Sequence, residues 1–251
     1  MTGSVTVIGL GPGAEDLRTP QATAALAEAT DIVGYATYVA RVPPRDGQIR
    51  HITDNREELA RARHALTLAA EGRQVAVVSS GDSGVFAMAS AVFEAIEHGD
   101  TAWRALEVRV LPGISAMFAA AARLGAPLGH DFCAISLSDN LKPWETVLAR
   151  LRAAAGAGFV IALYNPISRA RPWQLGAAFD AVRKILPPAT IVAMVNAVSL
   201  PQERVEIVTL AEADPKRADM RTLVLIGSAA TRSISRADGK TWLYSPRSAS
   251  A

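Results

Sequence analysis

Short apolar runs alternate with helical stretches along most of the chain, and this alternation constrains the fold more than any other feature of the sequence. The runs have the length and composition of buried β-strands. They are residues 5–10, 31–35, 74–80, 106–112, 132–137, 159–165, 190–196, 204–210 and 222–227. Because strands that are apolar on both faces need helices on both sides, the pattern predicts an α/β fold.

Capping residues mark several helix boundaries. Thr19 followed by Pro20 predicts one helix start. Asp54 with Glu57 predicts a variant of the capping box, which would open a helix that ends near Gly72. These signals support the alternation of strands and helices.

A domain boundary is predicted within VLPGIS, residues 110–115, because Pro112 and Gly113 interrupt a strand-like run before a new helix. Four of the apolar runs precede this point and five follow it. The sequence therefore predicts two α/β lobes, residues 1–113 and 114–251, with a cleft between them, in preference to one continuous sheet.

Composition excludes several classes of partner. The formal net charge of +2 is too small to indicate a nucleic acid or a membrane surface, and it favours a small molecule. No apolar run approaches the ~18 residues that suggest a membrane span. The single cysteine, Cys133, permits neither a disulfide nor a multi-thiolate metal site within the chain, which predicts a cytoplasmic location.

Common catalytic motifs are missing from the sequence. The four histidines, which show no metal-ligand spacing, are His51, His64, His98 and His130. Neither a G-x-S-x-G elbow nor a phosphate-binding P-loop occurs. We therefore expect no metal site, no serine hydrolase and no P-loop enzyme.

The glycine turn after the first run has two readings. Gly9, Gly11 and Ala14 match the G-x-G-x-x-A form of the dinucleotide fingerprint. However, the next helix starts late, Pro12 lacks an amide hydrogen, and Asp31 stands at the wrong end of its strand to bind a ribose. These departures disfavour a nicotinamide reductase and leave either a turn that lies flat beneath a bulky ligand or a simple tight turn.

A second glycine loop, Gly81-Asp82-Ser83-Gly84, follows the run at 74–80 and precedes a helix. Ligands of open α/β sheets bind at such carboxyl ends of strands. Asp82 is therefore predicted to accept hydrogen bonds from a ligand, with the alternative that it only caps a helix beginning near Val85.

Arginine side chains are suited to binding ligand carboxylates through their planar fork. The candidates are Arg41, Arg45, Arg50, Arg56, Arg169 and Arg171. The last two follow the polar turn in LYNPISRARPW, residues 163–173.

Taken together, VIGLGPGAEDLRTP, GDSGVFAMA, VLPGISA, GHDFCAISLSDNLKPW, ALYNPISRARPWQ and MRTLVLIG resemble the motifs of the tetrapyrrole methylase family, which uses S-adenosylmethionine. They occur in the family's order from residue 5 to about residue 227. The segments ISLSDNLKPW and LYNP are most similar to the branch that methylates C17 of precorrin-3B, with ring contraction, in cobalamin synthesis. Ser83 departs from the family pattern, since many relatives carry proline there.

The resemblance implies two αβα lobes, S-adenosylmethionine in the cleft between them, a tetrapyrrole substrate and a homodimer. It implies that the glycine turn faces the tetrapyrrole through Gly9, Gly11, Pro12 and Gly13. It also implies a set of cofactor-binding residues, which are Gly81, Asp82, Val85, Phe86, Ser115, Ala116, Tyr164, Ala197, Thr222 and Leu223.

Ring contraction needs proton transfer at a carbon of the macrocycle. Asp139 and His130 flank one predicted strand and are the candidates for this role, although Asp139 is equally suited to cap the helix near Pro143. Four other functions stay open: methylation at C11 or C20, the cobalt-containing counterpart of the C17 step, a nicotinamide reductase, and a non-catalytic tetrapyrrole carrier.

Overall fold

A computed structural model describes residues 3–54, 57–168 and 170–248. The chain divides into two compact units, Met1–Ala116 (unit 1) and Met117–Ala251 (unit 2). The proposed lobes, 1–113 and 114–251, stay a prediction of folding domains. No helix of the described residues is long and apolar enough to cross a membrane.

Unit 1 is built on a five-stranded parallel sheet. Its strands are β1 (Ser4–Gly9), β2 (Asp31–Tyr35), β3 (Ile49–Thr53), β4 (Gln74–Ser79) and β5 (Glu107–Leu111), in the order β3-β2-β4-β1-β5. Its helices are α1 (Pro20–Glu28), α2 (Ala36–Val39), α3 (Glu58–Ala70) and α4 (Met88–His98). In this order β1 lies at the centre of three neighbouring strands, β4-β1-β5, so the loops after these strands meet at one edge.

Both faces of this sheet are buried, as the apolar runs predict. Val5 and Val7 pack with Leu66 and other residues of α3 and α4 on one face. Ile8 and Leu26 belong to the opposite core, which joins the sheet to α1 and α2. Unit 1 is therefore a three-layer αβα structure.

The predicted helix starts had different outcomes. The Thr19 prediction is confirmed, because its hydroxyl oxygen accepts from the Ala22 N–H at 3.1 Å at the start of α1. The Asp54 prediction is wrong in position. Glu57 does accept from the Asp54 N–H at 3.3 Å, but Glu57 is itself the N-cap residue and α3 begins only at Glu58.

Unit 2 contains a mixed five-stranded sheet and a small three-stranded one. The strands are β6 (Gly125–Ala126), β7 (Phe132–Ser136), β8 (Val160–Tyr164), β9 (Ile191–Asn196), β10 (Arg204–Thr209), β11 (Thr222–Ile226), β12 (Arg232–Ser235) and β13 (Thr241–Tyr244), in the orders β10-β9-β11-β8-β7 and β12-β13-β6. The helices are α5 (Ala116–Leu124), α6 (Trp144–Gly156) and α7 (Gln174–Val182). Leu151 of α6 and Phe179 of α7 pack against Ile161, Met194 and Val224 in the core.

All the predicted strand runs form strands, and the α/β class is confirmed. The prediction missed β3, β6, β12 and β13. β3 is an edge strand, IRHIT, in which every residue is at least partly exposed, and all residues of β12 are exposed. Strands without a buried apolar face leave no alternating pattern to detect.

Candidate functional site

Two loops of unit 1 are joined directly at the carboxyl edge of its sheet. The Gly11 N–H donates to the Gly81 carbonyl at 3.1 Å, and the Gly81 N–H donates back to the Gly11 carbonyl at 2.8 Å. Gly11 and Gly81 both have positive φ, +72° and +65°, which glycine adopts without strain. The predicted tetrapyrrole-facing turn and the predicted cofactor loop therefore form one backbone unit.

A third loop, Pro112–Gly113 after β5, closes onto this pair. A Cβ atom on Gly113 would lie 2.2 Å from the Gly81 carbonyl oxygen, and one on Gly9 would lie 2.8 Å from the Gly113 nitrogen. Such distances exclude any side chain at either position. Close backbone approach, and not the dinucleotide fingerprint, is the reason for these glycines.

Asp82 uses one carboxylate oxygen to join two loops and the other to hold its own loop. Its Oδ2 accepts from the Gly113 N–H at 2.9 Å and its Oδ1 accepts from the Gly84 N–H at 2.8 Å. The alternative that it caps a helix at Val85 is wrong, because α4 begins at Met88 with Ala87 as its N-cap. Asp82 therefore fixes the shape of this edge, whatever else it contacts.

Ser83 accounts for one departure from the family pattern. It is fully buried, and its hydroxyl donates to the Leu111 carbonyl at 2.9 Å. Proline at this position would have no hydroxyl with which to make this bond. Here the loop gains a hydrogen bond to β5 in place of a stiff proline ring.

Phe86, in the same loop, has the strain that functional sites often show. Its φ is +52°, which is rare for a bulky residue, and its side chain is 49% exposed. Val85 beside it is half-buried. The predicted cofactor residues Ser115 and Ala116 also belong here, since a Cβ on Gly81 would lie 3.6 Å from the Ser115 Cα and 3.7 Å from the Ala116 nitrogen.

Three of the arginines proposed to meet ligand carboxylates bind the protein's own backbone. Arg41 donates to the Leu10 and Gly11 carbonyls at 2.8 and 3.0 Å. Arg45 donates to the carbonyls of residues 27 and 29, and Arg50 to those of residues 39 and 42. These hydrogen bonds give the three side chains a structural role, and their contact with ligand carboxylates stays a prediction. Arg56 and Arg169 lie outside the described residues.

The predicted cofactor residues of unit 2 lie at one edge of its large sheet. β8 and β9 each run antiparallel to β11, and β7 runs parallel to β8. The ends of β7, β8 and β9 and the start of β11 therefore share an edge. Tyr164 ends β8, Ala197 follows β9 and Thr222 starts β11, while Leu223 is the next, buried residue of β11.

A buried network of side chains shapes this edge. Asn196 donates through Nδ2 to Asp219 and, at 3.0 Å, to the Thr222 hydroxyl. Burial alone would raise the pKa of Asp219. Hydrogen bonds from the Arg221 backbone N–H, Thr222 and Asn196 outweigh burial and hold that pKa below its usual value. Asp219 is therefore an ionised acceptor that orients its neighbours.

The network also fixes the orientation of the Asn196 amide. A carboxylate only accepts hydrogen bonds, so the NH₂ group must face Asp219 and the Oδ1 atom must point away. This Oδ1 is buried and has no partner among the described residues. Asn196 also lines a cavity of ≈ 410 Å³, and the next residue, Ala197, has a φ of +49°. A strained turn and an unused acceptor thus stand side by side.

Tyr164 is positioned by the start of α5 and by its own neighbour. Its hydroxyl oxygen accepts from the Met117 N–H at 3.0 Å. Asn165, with a φ of +51°, donates to the Ser136 hydroxyl at 2.9 Å at the end of β7. Sequence reasoning missed Ser136, Asn165, Asn196 and Asp219, for which only the polar residue at each strand end was a signal.

The two proton-transfer candidates are separated by the structure. Asp139 follows β7 and accepts from Arg171 and, at 2.8 Å, from Gln174. It does not cap α6, which begins at Trp144 after Pro143. His130 precedes β7, at the opposite edge, and its Nδ1 accepts from the backbone N–H of the next residue. The five residues of β7 hold the two apart by roughly 13 Å at about 3.3 Å per residue, so they cannot act on one atom together.

Other catalytic groups are sparse. Within the described part of the chain, no three histidine, cysteine, aspartate or glutamate side chains form a group that could hold a metal ion. Burial raises the pKa of the Cys133 thiol, which disfavours a nucleophilic thiolate at neutral pH. The two strand edges are therefore best suited to holding ligands.

Comparison with known proteins agrees with this organisation. A precorrin-3B C(17)-methyltransferase from Sinorhizobium sp. is 55% identical over 247 residues, which cover 98% of this chain and 97% of that protein. A crystal structure of the methyltransferase CobJ superposes with a TM-score of 0.92 at 57% identity and covers 97% of this chain and 100% of that one.

A more distant structure shares the fold. Uroporphyrin-III C-methyltransferase from Thermus thermophilus, complexed with S-adenosyl homocysteine, matches with a TM-score of 0.67 at 22% identity over 90% of this chain and 97% of that one. The profile of the tetrapyrrole (corrin/porphyrin) methylases matches residues 4–214. This chain belongs to the tetrapyrrole (corrin/porphyrin) methylases.

Proposed function

We propose that this protein is a precorrin-3B C17-methyltransferase, which transfers a methyl group from S-adenosylmethionine to C17 of the tetrapyrrole and contracts the ring in cobalamin synthesis. The observation that carries the proposal is the 55% identity to a protein of that name over nearly the full length of both chains. A match of this extent includes both strand edges as well as the sheets that support them.

The residues at both edges suit S-adenosylmethionine. In unit 1, Gly81 carries no side chain and the Phe86 side chain is 49% exposed, so the loop from Gly81 to Phe86 offers a surface on which an adenosyl group can lie. In unit 2, the buried Asn196 Oδ1 lacks a donor, and an amine or hydroxyl group of the cofactor would supply one. The cofactor-binding residues inferred from the resemblance stay part of this proposal, supported by the strained turns at Phe86 and Ala197.

When bound, S-adenosylmethionine supplies an electrophilic methyl group. The protein must then hold the reacting ring carbon in line with the methyl group, at close range, and exclude water. For this transfer, positioning contributes more to the rate than a strong acid or base would. We assign the first task in unit 1 to the turn from Gly9 to Gly13, which the hydrogen bonds with Gly81 and from Arg41 make rigid. A rigid turn holds a flat ring at a fixed height.

Of the two proton-transfer candidates, we retain Asp139 for the ring contraction. It lies at the edge that also carries Tyr164 and Thr222, whereas His130 lies at the other edge. Arg171 and Gln174 both donate to Asp139 and so fix its carboxylate. A normal ring-contracted product from D139A in a single turnover would eliminate Asp139 as an essential proton carrier.

The direct test of the proposed function is product identification. The purified protein is incubated with precorrin-3B and S-adenosylmethionine whose methyl group carries ¹³C, and the product is examined by mass spectrometry and NMR. We expect S-adenosylhomocysteine and a ring-contracted product with the label on C17. A label on C11 or C20, or turnover only with the cobalt-containing substrate, would contradict the proposal and identify the related methylase.

We further propose that the protein works as a homodimer in the cytoplasm. The homodimer follows from the family resemblance, and the single cysteine supports a reducing compartment. Sedimentation equilibrium at low micromolar concentration tests the first point, and a monomer there would contradict it.

A further inference from the structure

Two arginine side chains, the buried Arg18 and the half-buried Arg41, lie beside the glycine turn of unit 1, and among the described residues neither forms an ion pair with a buried carboxylate. Arg18 follows the turn, and only 7% of its side chain is exposed. Its Nη2 lies 3.4 Å from the Arg41 carbonyl and 3.4 Å from a carboxylate oxygen of Glu15. Its Nε is buried and has no hydrogen-bond partner within the described residues.

Arg41 adds a second positive charge but has little hydrogen-bonding capacity left. Besides the Leu10 and Gly11 carbonyls, it donates to the Gly13 carbonyl at 3.4 Å and to the Ser80 hydroxyl at 3.1 Å. Burial, followed by repulsion from Arg18, lowers the pKa of Arg41. The two side chains are close, since the Arg18 Nη2 lies 3.4 Å from the Arg41 carbonyl, and Arg41 is already used to hold the turn.

The charge at this place is poorly compensated. The carboxylate that pairs with Arg18 belongs to Glu15, whose side chain is 75% exposed, and an exposed partner of this kind contributes little to stability. A buried cation without a well-placed anion costs free energy, so such an arrangement persists where function requires it. An anion with an oxygen in the plane of the guanidinium group would complete the hydrogen bonding of Arg18.

We propose that Arg18 binds a carboxylate arm of the substrate macrocycle, and that Arg41 positions the glycine turn against which that macrocycle lies. This inference rests on the proposed function, which supplies a flat polycarboxylate as the substrate. The planar fork of arginine suits a carboxylate, which would displace Glu15 and reach both Nε and Nη2. Arg18 and the glycine turn follow β1, and Arg41 follows β2 and α2. They therefore belong to the carboxyl edge of the sheet, where α/β proteins bind ligands.

The test measures binding without turnover. Uroporphyrin, a flat macrocycle with carboxylate arms, is titrated by fluorescence into wild type, R18M and the control R63M, which replaces an exposed arginine of α3. A charge-assisted hydrogen bond predicts a Kd about 10- to 100-fold higher for R18M, and an unchanged Kd for R63M. E15Q should bind at least as tightly as wild type, because it removes the competing carboxylate.

Thermal unfolding separates a ligand-binding Arg18 from a structural one. If Arg18 is an uncompensated cation, R18M has an equal or higher Tm than wild type without ligand, and uroporphyrin raises the Tm of wild type more than that of R18M. A lower Tm for R18M with an unchanged Kd, or wild type that binds no uroporphyrin, would overturn the proposal. Failure of the proposed function shows up differently, as an absence of methylated product from precorrin-3B while the R18M effect on binding persists.

Discussion

The two units build their candidate ligand-binding edges from different groups, one from backbone and the other from side chains. In unit 1, the edge is backbone: Gly9, Gly81 and Gly113 approach so closely that no Cβ fits at two of them. In unit 2, the edge is a network of side chains, in which Asn196, Asp219 and Thr222 hold one another. We therefore expect the unit 1 edge to be sensitive to added side-chain volume and the unit 2 edge to be sensitive to a change of side-chain charge.

The largest effect is expected from added volume in unit 1. G113A would place a Cβ atom 2.2 Å from the Gly81 carbonyl oxygen, so the loops must separate. We expect a loss of about 4 kcal/mol or more in the free energy of unfolding, measured by urea denaturation. The matched control is G156A at the end of α6, where a new Cβ meets no atom within 4 Å. It should be neutral or stabilising by up to about 1 kcal/mol. Equal stability of the two variants would contradict the close approach.

A change of charge with little change of volume should disrupt unit 2. N196D places a second carboxylate against Asp219 in a buried position. We expect a loss of about 3 kcal/mol at pH 8, which becomes smaller on acidification, because protonation of one carboxyl group lets it donate to the other. The control is N165D, since Asn165 is exposed and its Ser136 partner is a hydroxyl that can reverse its role. A pH-independent loss in N196D would argue against charge as the cause.

A smaller effect is expected where a side chain supports the backbone edge. D82N keeps one acceptor oxygen, so either the Gly84 or the Gly113 N–H loses its partner. The expected cost is about 2 kcal/mol in unfolding free energy, with weaker binding of S-adenosylhomocysteine in calorimetry. D100N is the control. Asp100 is exposed and accepts a hydrogen bond from the Ala102 N–H as a helix cap, and asparagine caps helices equally well. If D82N bound the cofactor as wild type does, Asp82 would have no influence on the cofactor site.

The smallest effect concerns the opposite, amino edge of the unit 1 sheet. Although burial raises it, the pKa of Asp31 is held below its usual value by hydrogen bonds from Arg73, Thr30 and His51. The Asp31 carboxylate has a lower pKa in the folded protein than in the unfolded chain, where it is about 3.9. Its contribution to the free energy of unfolding is therefore fully present above about pH 3.9 and is lost as the pH falls through the folded-state pKa. Between pH 6 and pH 3, wild type should lose on the order of 1 kcal/mol more than D31N.

Cofactor binding provides the control for that prediction. Asp31 starts β2, whereas the candidate ligand loops follow the ends of β1 and β4. D31N should therefore bind S-adenosylhomocysteine at neutral pH with the affinity of wild type. A large loss of affinity would show that the amino edge is coupled to the site.

The backbone edge could be predicted from the sequence to a large extent, and the side-chain edge could not. Glycine leaves a local signal, so the turns at Gly9 and Gly81 stand out beside buried apolar strands. The Asn196 network joins residues that are 23 and 26 positions apart, and no local pattern connects them. The sequence predicts a ligand contact for Arg41 but not its hydrogen bonds to the Leu10 and Gly11 carbonyls. Every residue has a backbone carbonyl, so such acceptors leave no signal in the sequence. β3 was missed because its exposed, polar sequence lacks an apolar face.

A crystal structure of the protein with S-adenosylhomocysteine is the most direct test of this account. We expect the ligand to contact the loop from Gly81 to Phe86 in unit 1. A ligand that instead lies along the turn from Gly9 to Ala14 would contradict the account, because that turn is assigned here to the macrocycle.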